Sequence, residues 1–252
     1  HKAAPDKQDN VKAQPSLLKS IFSPKMLTCV FTGLASGFPY YVLFQLVPAW
    51  LRTEGVNLAT IGLFSLISLP FNWKFIWSPL MDRYMPPFRG RRTGWMLLTQ
   101  ICLLFSIGVL GFLQPANSIW LAASVCVIVA FFSASQDVVI DAYRRELLEE
   151  NELGLGNSIH VQAYRISGLV PGALGLILAD SFDWDVVFVV IACFMLISIT
   201  ATFFFAEIQD SVAPKTLREA VVLPFTEFVQ RNSWRGTAYI LIFMFFYKLG
   251  DN

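Results

Sequence analysis

The stretch that decides the fold is SIWLAASVCVIVAFFSASQDVVIDAYRRE, Ser118–Glu146. It opens with an uninterrupted apolar run of the length that crosses a hydrocarbon core, about 20 residues at about 1.5 Å rise each. Near its end it places Asp137 and Asp141 one helical turn apart, ahead of Arg144 and Arg145. A carboxylate inside a membrane helix is expensive and marks an ion or substrate path unless a neighbour neutralises it.

The rest of the chain repeats the apolar pattern. Of 252 residues, 55% are hydrophobic and only 15% charged, against about 25% charged in soluble domains. Mean hydropathy is +0.56. Six apolar runs fall at Met26 to Trp50, Leu58 to Met81, Gly94 to Leu113, Ile119 to Ile140, Asn157 to Ala179 and Val186 to Ala206. A seventh starts near Gly236. The expected organisation is a basic tail over 1–25, a six-helix bundle over 26–206, an amphipathic surface connector over 207–235, and the start of a seventh span over 236–252. Such an arrangement matches the first half of a transporter built from two six-helix halves.

Several function classes drop out. Net charge is +1, so no basic field invites nucleic acid. Cys29, Cys102, Cys126 and Cys193 lie in apolar runs without CxxC spacing and read as buried thiols. With two histidines, one of them residue 1, a zinc site is not expected. The glycines of ELGLGNS lack the preceding strand of a nucleotide fingerprint, and no GxSxG, HExxH or Walker sequence occurs. The chain reads as a non-enzyme without cofactor.

Orientation follows the cations of the short loops. Lys2, Lys7, Lys12, Lys19 and Lys25 precede the first span. Arg83, Arg89, Arg91 and Arg92 fill the second-to-third loop, and Arg144 and Arg145 the fourth-to-fifth connection. The alternate loops LRTEGVN, LQPANS and DSFDWD are poor in cations. The N-terminus is therefore expected in the cytoplasm.

Charges within the spans carry the functional reading. At about 1.5 Å per residue, Lys74 lies about 12 Å inside the boundary at Asp82, Asp137 about 10 Å inside Arg144, and Arg165 about 12 Å inside Asn157. Two cations and an anion thus share one layer. Ser133, Gln136, Asp137 and Asp141 form a polar face on the fourth span, and Ser158, Gln162 and Arg165, with Tyr164 adjacent, another on the fifth. The competing readings are that Lys74 snorkels to the interface and that Asp141 forms an interfacial pair with Arg144 or Arg145. In YKLGDN, Lys248 and Asp251 sit about 20 Å into the seventh run, counted from Arg235. Gly168, Gly172 and Gly175 around Pro171 permit close helix approach.

The loop SPLMDRYMPPFRGRR resembles the signature between helices two and three of the major facilitator superfamily, through Asp82, Arg83, Gly90, Arg91 and Arg92. Ser78 stands where that pattern has glycine, and the spacer is longer. These residues read as a gate, Asp82 pairing with arginines and a helix N-terminus in one conformation, against the plain alternative of a cation-rich loop. More widely, GLASGFPYYV, KFIWSPLMDRYMPPFRGRRTGW, FFSASQDVVIDAYRRELL, Tyr164–Arg165, APKTLREAVVLPF and YKLGD resemble the AmpG-type muropeptide permeases of that superfamily.

The resemblance implies an all-α membrane protein, the six-helix N-terminal half of a twelve-or-more-helix facilitator fold plus the start of a seventh helix. It further implies proton-driven import of anhydro-muropeptides across the bacterial inner membrane, with products that signal β-lactamase induction. A related grouping carries acetyl-coenzyme A, so another bulky polar anion is the alternative, and a channel or receptor the second class. With it come a proton gradient as driving force and a monomer in the lipid bilayer. The charged and polar layer of the spans supplies compatible roles: Asp137, before Asp141, for the proton; Lys74, Gln136, Gln162, Tyr164, Arg165, Lys248 and Asp251 for substrate.

Overall fold

A computed structural model describes residues 22–208 and 217–250. Among them every regular element is helical, and six helices are long and apolar enough to cross a membrane. These are α1 (Pro24–Thr53), α2 (58–83, in pieces), α3 (Arg91–Leu110), α4 (Ile119–Leu147), α5 (Leu153–Ala179) and α6 (Trp184–Phe204). A further helix, α7 (Leu217–Gly250), is broken at Ser233, whose φ of 58° no helix interior accommodates. It packs against Ser78–Arg83 of α2.

The observed spans differ from the apolar runs at their ends. α3 starts at Arg91 rather than Gly94, and α4 continues seven residues beyond Ile140, to Leu147. Hydropathy stops a span at its first charge, whereas a helix continues while its charges find partners. Glycine and proline punctuate the interior instead. α2 alternates short α and 3₁₀ turns around Pro70 and Pro79. α1 and α5 each contain one π turn, at Val42–Leu46 and Val170–Leu174, and the two turns pack on each other.

The helix starts have local causes. The Ser23 side chain accepts from the Met26 N–H, with Pro24 at the first position, and Asn57 accepts from the Thr60 N–H at 2.8 Å. α3 lacks such a cap on Gly90. Its free N–H groups at Arg92 and Thr93 donate instead to the Glu207 carboxylate just beyond α6, each at 3.2 Å.

Lipid is as apolar as leucine, so close packing rather than water exclusion must hold the bundle. The most extensive interface is α1 on α5. The backbone of His160 and the Ala163 side chain occupy the space a Cβ on Gly33 would take, and the Tyr164 carbonyl and Ser167 hydroxyl that of Gly37. Around the π turns the roles reverse: the Tyr41 ring lies over Gly168, Gln45 over Gly172 and Leu46 over Gly175. The glycines around Pro171 are thus receptors for α1 side chains. A core of Leu46, Trp50, Leu103, Ile107, Cys126, Phe188 and Ile191 then fills the space between α1, α3, α4 and α6. Cys29 and Cys126 are buried, Cys102 half-buried and Cys193 exposed, all as free thiols.

Because backbone atoms fill the Cβ position at Gly37, Gly37→Val forces the two helices apart. We expect a loss of about 1–3 kcal/mol, measured as a lowered thermal transition of the full-length protein in detergent. Gly154→Val, where a Cβ meets nothing, serves as the control.

Candidate functional site

Gly33 and Gly37 set α1 close to α5, and this places the neighbouring residues Ala35 and Ser36 against α4. The Ser36 hydroxyl donates to Asp137 Oδ1. From α2, Lys74 Nζ approaches the other oxygen, Oδ2, at 3.9 Å. One carboxylate therefore joins three helices. The Asp137 side chain is 14% exposed and that of Lys74 33%, so Lys74 points inward to its partner and does not snorkel outward. The depth counts from sequence place both in one layer, and the structure brings them together.

Gln136 departs from expectation. It is fully buried, and its amide nitrogen donates to the Ala35 carbonyl at 2.6 Å, fastening α4 to α1. Its side chain meets the α1 backbone, where the sequence reading expects a substrate-lining face. Ser133, on the same face, is also fully buried. Asp141 stands apart from this junction. Its side chain is 52% exposed and pairs with Arg144 Nη2 at 3.0 Å, while Arg144 Nε donates to Asn157 at 3.0 Å. The boundary pair that competed with a proton role for Asp141 is the one present, and Arg144 rather than Arg145 makes it.

On α5 the side packed on α1 carries Gly156, His160, Ala163 and Ser167, all buried. Ser158, Gln162 and Arg165 lie on the opposite side and are exposed. Arg165 forms no ion pair among the described residues, so the layer seen in sequence holds Lys74 and Asp137 without it. Tyr164 is half-buried between these sides, its ring 5.9 Å from Tyr40 and 5.7 Å from Tyr41. The aromatic group continues through Phe44 and Phe71, 4.5 and 5.5 Å from Tyr40. The Lys248 side chain and Asp251 lie outside what the structure describes.

At the end of the bundle where α1 begins, the loop residues form a clasp. Arg92, with a side chain 7% exposed, pairs with Asp82 at 2.6 Å and Glu146 at 2.5 Å. Arg91 donates to the Asp82 carbonyl at 2.9 Å. Arg83 lies over the Tyr84 ring at 5.4 Å. The Glu207 side chain occupies the space where a Cβ on Gly90 would stand, and Thr93 donates its hydroxyl to Glu207. Asp82 therefore pairs with an arginine as expected, but the α3 N-terminus belongs to Glu207. Close by, Lys25 bridges Glu149 at 3.2 Å and Glu152 at 2.9 Å. Its ammonium, with help from the Glu149 N–H, holds the Glu152 carboxyl below the usual range.

Ser36, Glu146 and Glu207 escaped the sequence reading. Ser36 had one available signal, its place in GLASGFPYYV; Glu146 and Glu207 had none.

Arg92→Met would leave Asp82 and Glu146 without their shared cation. We expect a loss of about 1–3 kcal/mol by thermal denaturation in detergent, with Glu146→Gln in the same background adding little further loss, as shared partners require.

The chain has relatives among known proteins. The profile of the Major Facilitator Superfamily matches residues 73–249. The chain is 44% identical to an uncharacterized protein of Haemophilus influenzae over 94% of its length and 56% of that protein's. It is 42% identical to the anhydromuropeptide permease of Escherichia coli K12, over 93% of this chain and 48% of the permease. A putative transporter AmpG 1 of Rickettsia bellii is 30% identical over 87% of this chain and 56% of its own. The chain spans about half the length of the curated relatives it matches.

Proposed function

The chain belongs to the major facilitator superfamily, and from that premise we propose that it forms the N-terminal half of a proton-coupled importer of anhydro-muropeptides in the bacterial inner membrane. The observation that carries the proposal is the Lys74–Asp137 pair within the spans. The name of the 42% identical permease supplies the substrate class.

The chemistry is consistent with such a cargo. A muropeptide is large, hydroxyl-rich and anionic, so it calls for cations, amides and aromatic rings. In this reading, protonation of Asp137 frees Lys74 to meet a substrate carboxylate. Arg165 offers a second cation, and Gln162 and Tyr164 bond to sugar or peptide groups, with Lys248 and Asp251 as further substrate contacts. The clasp of Asp82, Arg83, Gly90, Arg91 and Arg92 serves as the gate, on the cytoplasmic side with the N-terminus. The protein works as a monomer without a cofactor, driven by the proton gradient, and its imported products reach the signalling that induces β-lactamase.

The test is uptake of labelled N-acetylglucosaminyl-anhydro-N-acetylmuramic acid into proteoliposomes holding the full-length protein. Accumulation should follow an imposed proton gradient and saturate. Asp137→Asn should lower gradient-driven accumulation at least tenfold, a change of about 1.4 kcal/mol or more. Flux that neither saturates nor accumulates would identify a channel, and stronger competition from acetyl-coenzyme A than from unlabelled muropeptide would replace the substrate class.

A further inference from the structure

We propose that Ser36 is the positioning residue of the coupling site, setting how readily Asp137 takes its proton by donating the one hydroxyl hydrogen bond that reaches Asp137 Oδ1 from α1. The proposal rests on the reading of Asp137 as the proton site.

The geometry behind it is specific. Ser36 is buried, 4% exposed, between Ala35, whose carbonyl accepts from Gln136, and Gly37, whose missing side chain admits the α5 backbone. Its hydroxyl is thereby fixed at the α4 surface and donates to Oδ1, while Lys74 faces Oδ2. A serine O–H has a single proton to give, and a charged carboxylate accepts it more strongly than a neutral acid does. The bond thus favours the ionised site, and loading a proton weakens the α1–α4 contact as well as the α2–α4 ion pair. One proton acts on both helix junctions that this carboxylate makes.

The other groups facing Asp137 come from each packed element. Lys74 approaches from α2; Asp141 and Arg144 lie on α4 itself; Tyr164 of α5 lies beside Tyr40 and Tyr41 of α1. α3 carries no charged residue from Thr93 to Leu110. Ser36→Ala leaves all of these charges in place, so its effect isolates the hydroxyl.

The experiment compares the pH profile of proton-driven uptake in the full-length protein and its Ser36→Ala and Ser36→Cys variants. Loss of the donor should move half-maximal uptake to higher pH by about one unit. Cysteine, similar in size with a weak S–H donor, should give an intermediate shift. Substrate exchange in de-energised vesicles, which needs no net proton movement, should stay within about twofold of the unmodified protein and so reports intact assembly. An unmoved profile in Ser36→Ala, with Asp137→Asn having lost its pH dependence, would overturn the role of Ser36 alone. Equal losses of rate and exchange in both variants without a shift would reduce Ser36 to packing. A normal pH dependence in Asp137→Asn would remove the underlying reading and this one together.

Discussion

The constraint on which the bundle depends is the placement of one carboxylate, Asp137, within a membrane-spanning helix. An unpaired charge there costs several kcal/mol, so the fold must bring partners to it. It does so from two directions, with the Ser36 hydroxyl at one oxygen and the Lys74 ammonium near the other. The requirement fixes the register of α1 and α2 against α4: a one-turn slide of either, about 5.4 Å, would leave the carboxylate without that partner.

The register of α1 has a second origin in its interlock with α5. In one half of the interface the notches are Gly33 and Gly37 on α1; in the other they are Gly168, Gly172 and Gly175 on α5. The exchange of roles happens at the two π turns, which meet at that point. A π turn inserts one residue into the helical phase. α1 can therefore present a glycine face first and a side-chain face later, and α5 the reverse, without either twisting its neighbour away. Ser36 lies beside the first set of notches, so the interlock with α5 aims the hydroxyl at α4.

This explains which features were legible in the sequence. The depth of Lys74 and Asp137 follows from a fixed rise per residue, and six spans follow from length and hydropathy. Contacts between distant helices carry no such arithmetic. Ser36 and Asp137 lie 101 positions apart, and Glu207 caps a helix 115 positions before it, so neither pairing leaves a periodic trace. Gln136 illustrates a further limit. A polar face on a membrane helix turns with equal ease toward a cavity or toward a neighbouring backbone, and helical phase distinguishes the face but not what it meets. Arg165 shares that ambiguity in the opposite sense, since its face opens away from α1.

The two charged levels of the bundle are built with unequal redundancy. At the α1 end, Arg92 holds two carboxylates at 2.6 and 2.5 Å, Arg91 adds a backbone carbonyl, and Glu207 closes the α3 N-terminus with three hydrogen bonds. Losing any single bond there leaves α2, α3, α4 and the end of α6 still joined. At the inner level, one hydroxyl and one ammonium at 3.9 Å serve the whole carboxylate. A single proton delivered to the outer clasp would change one contact among many, whereas delivered to Asp137 it alters every contact that this carboxylate makes to α1 and α2. The sparse level is therefore where one proton has the most mechanical leverage, and the dense level keeps the helix ends together while the inner contacts change.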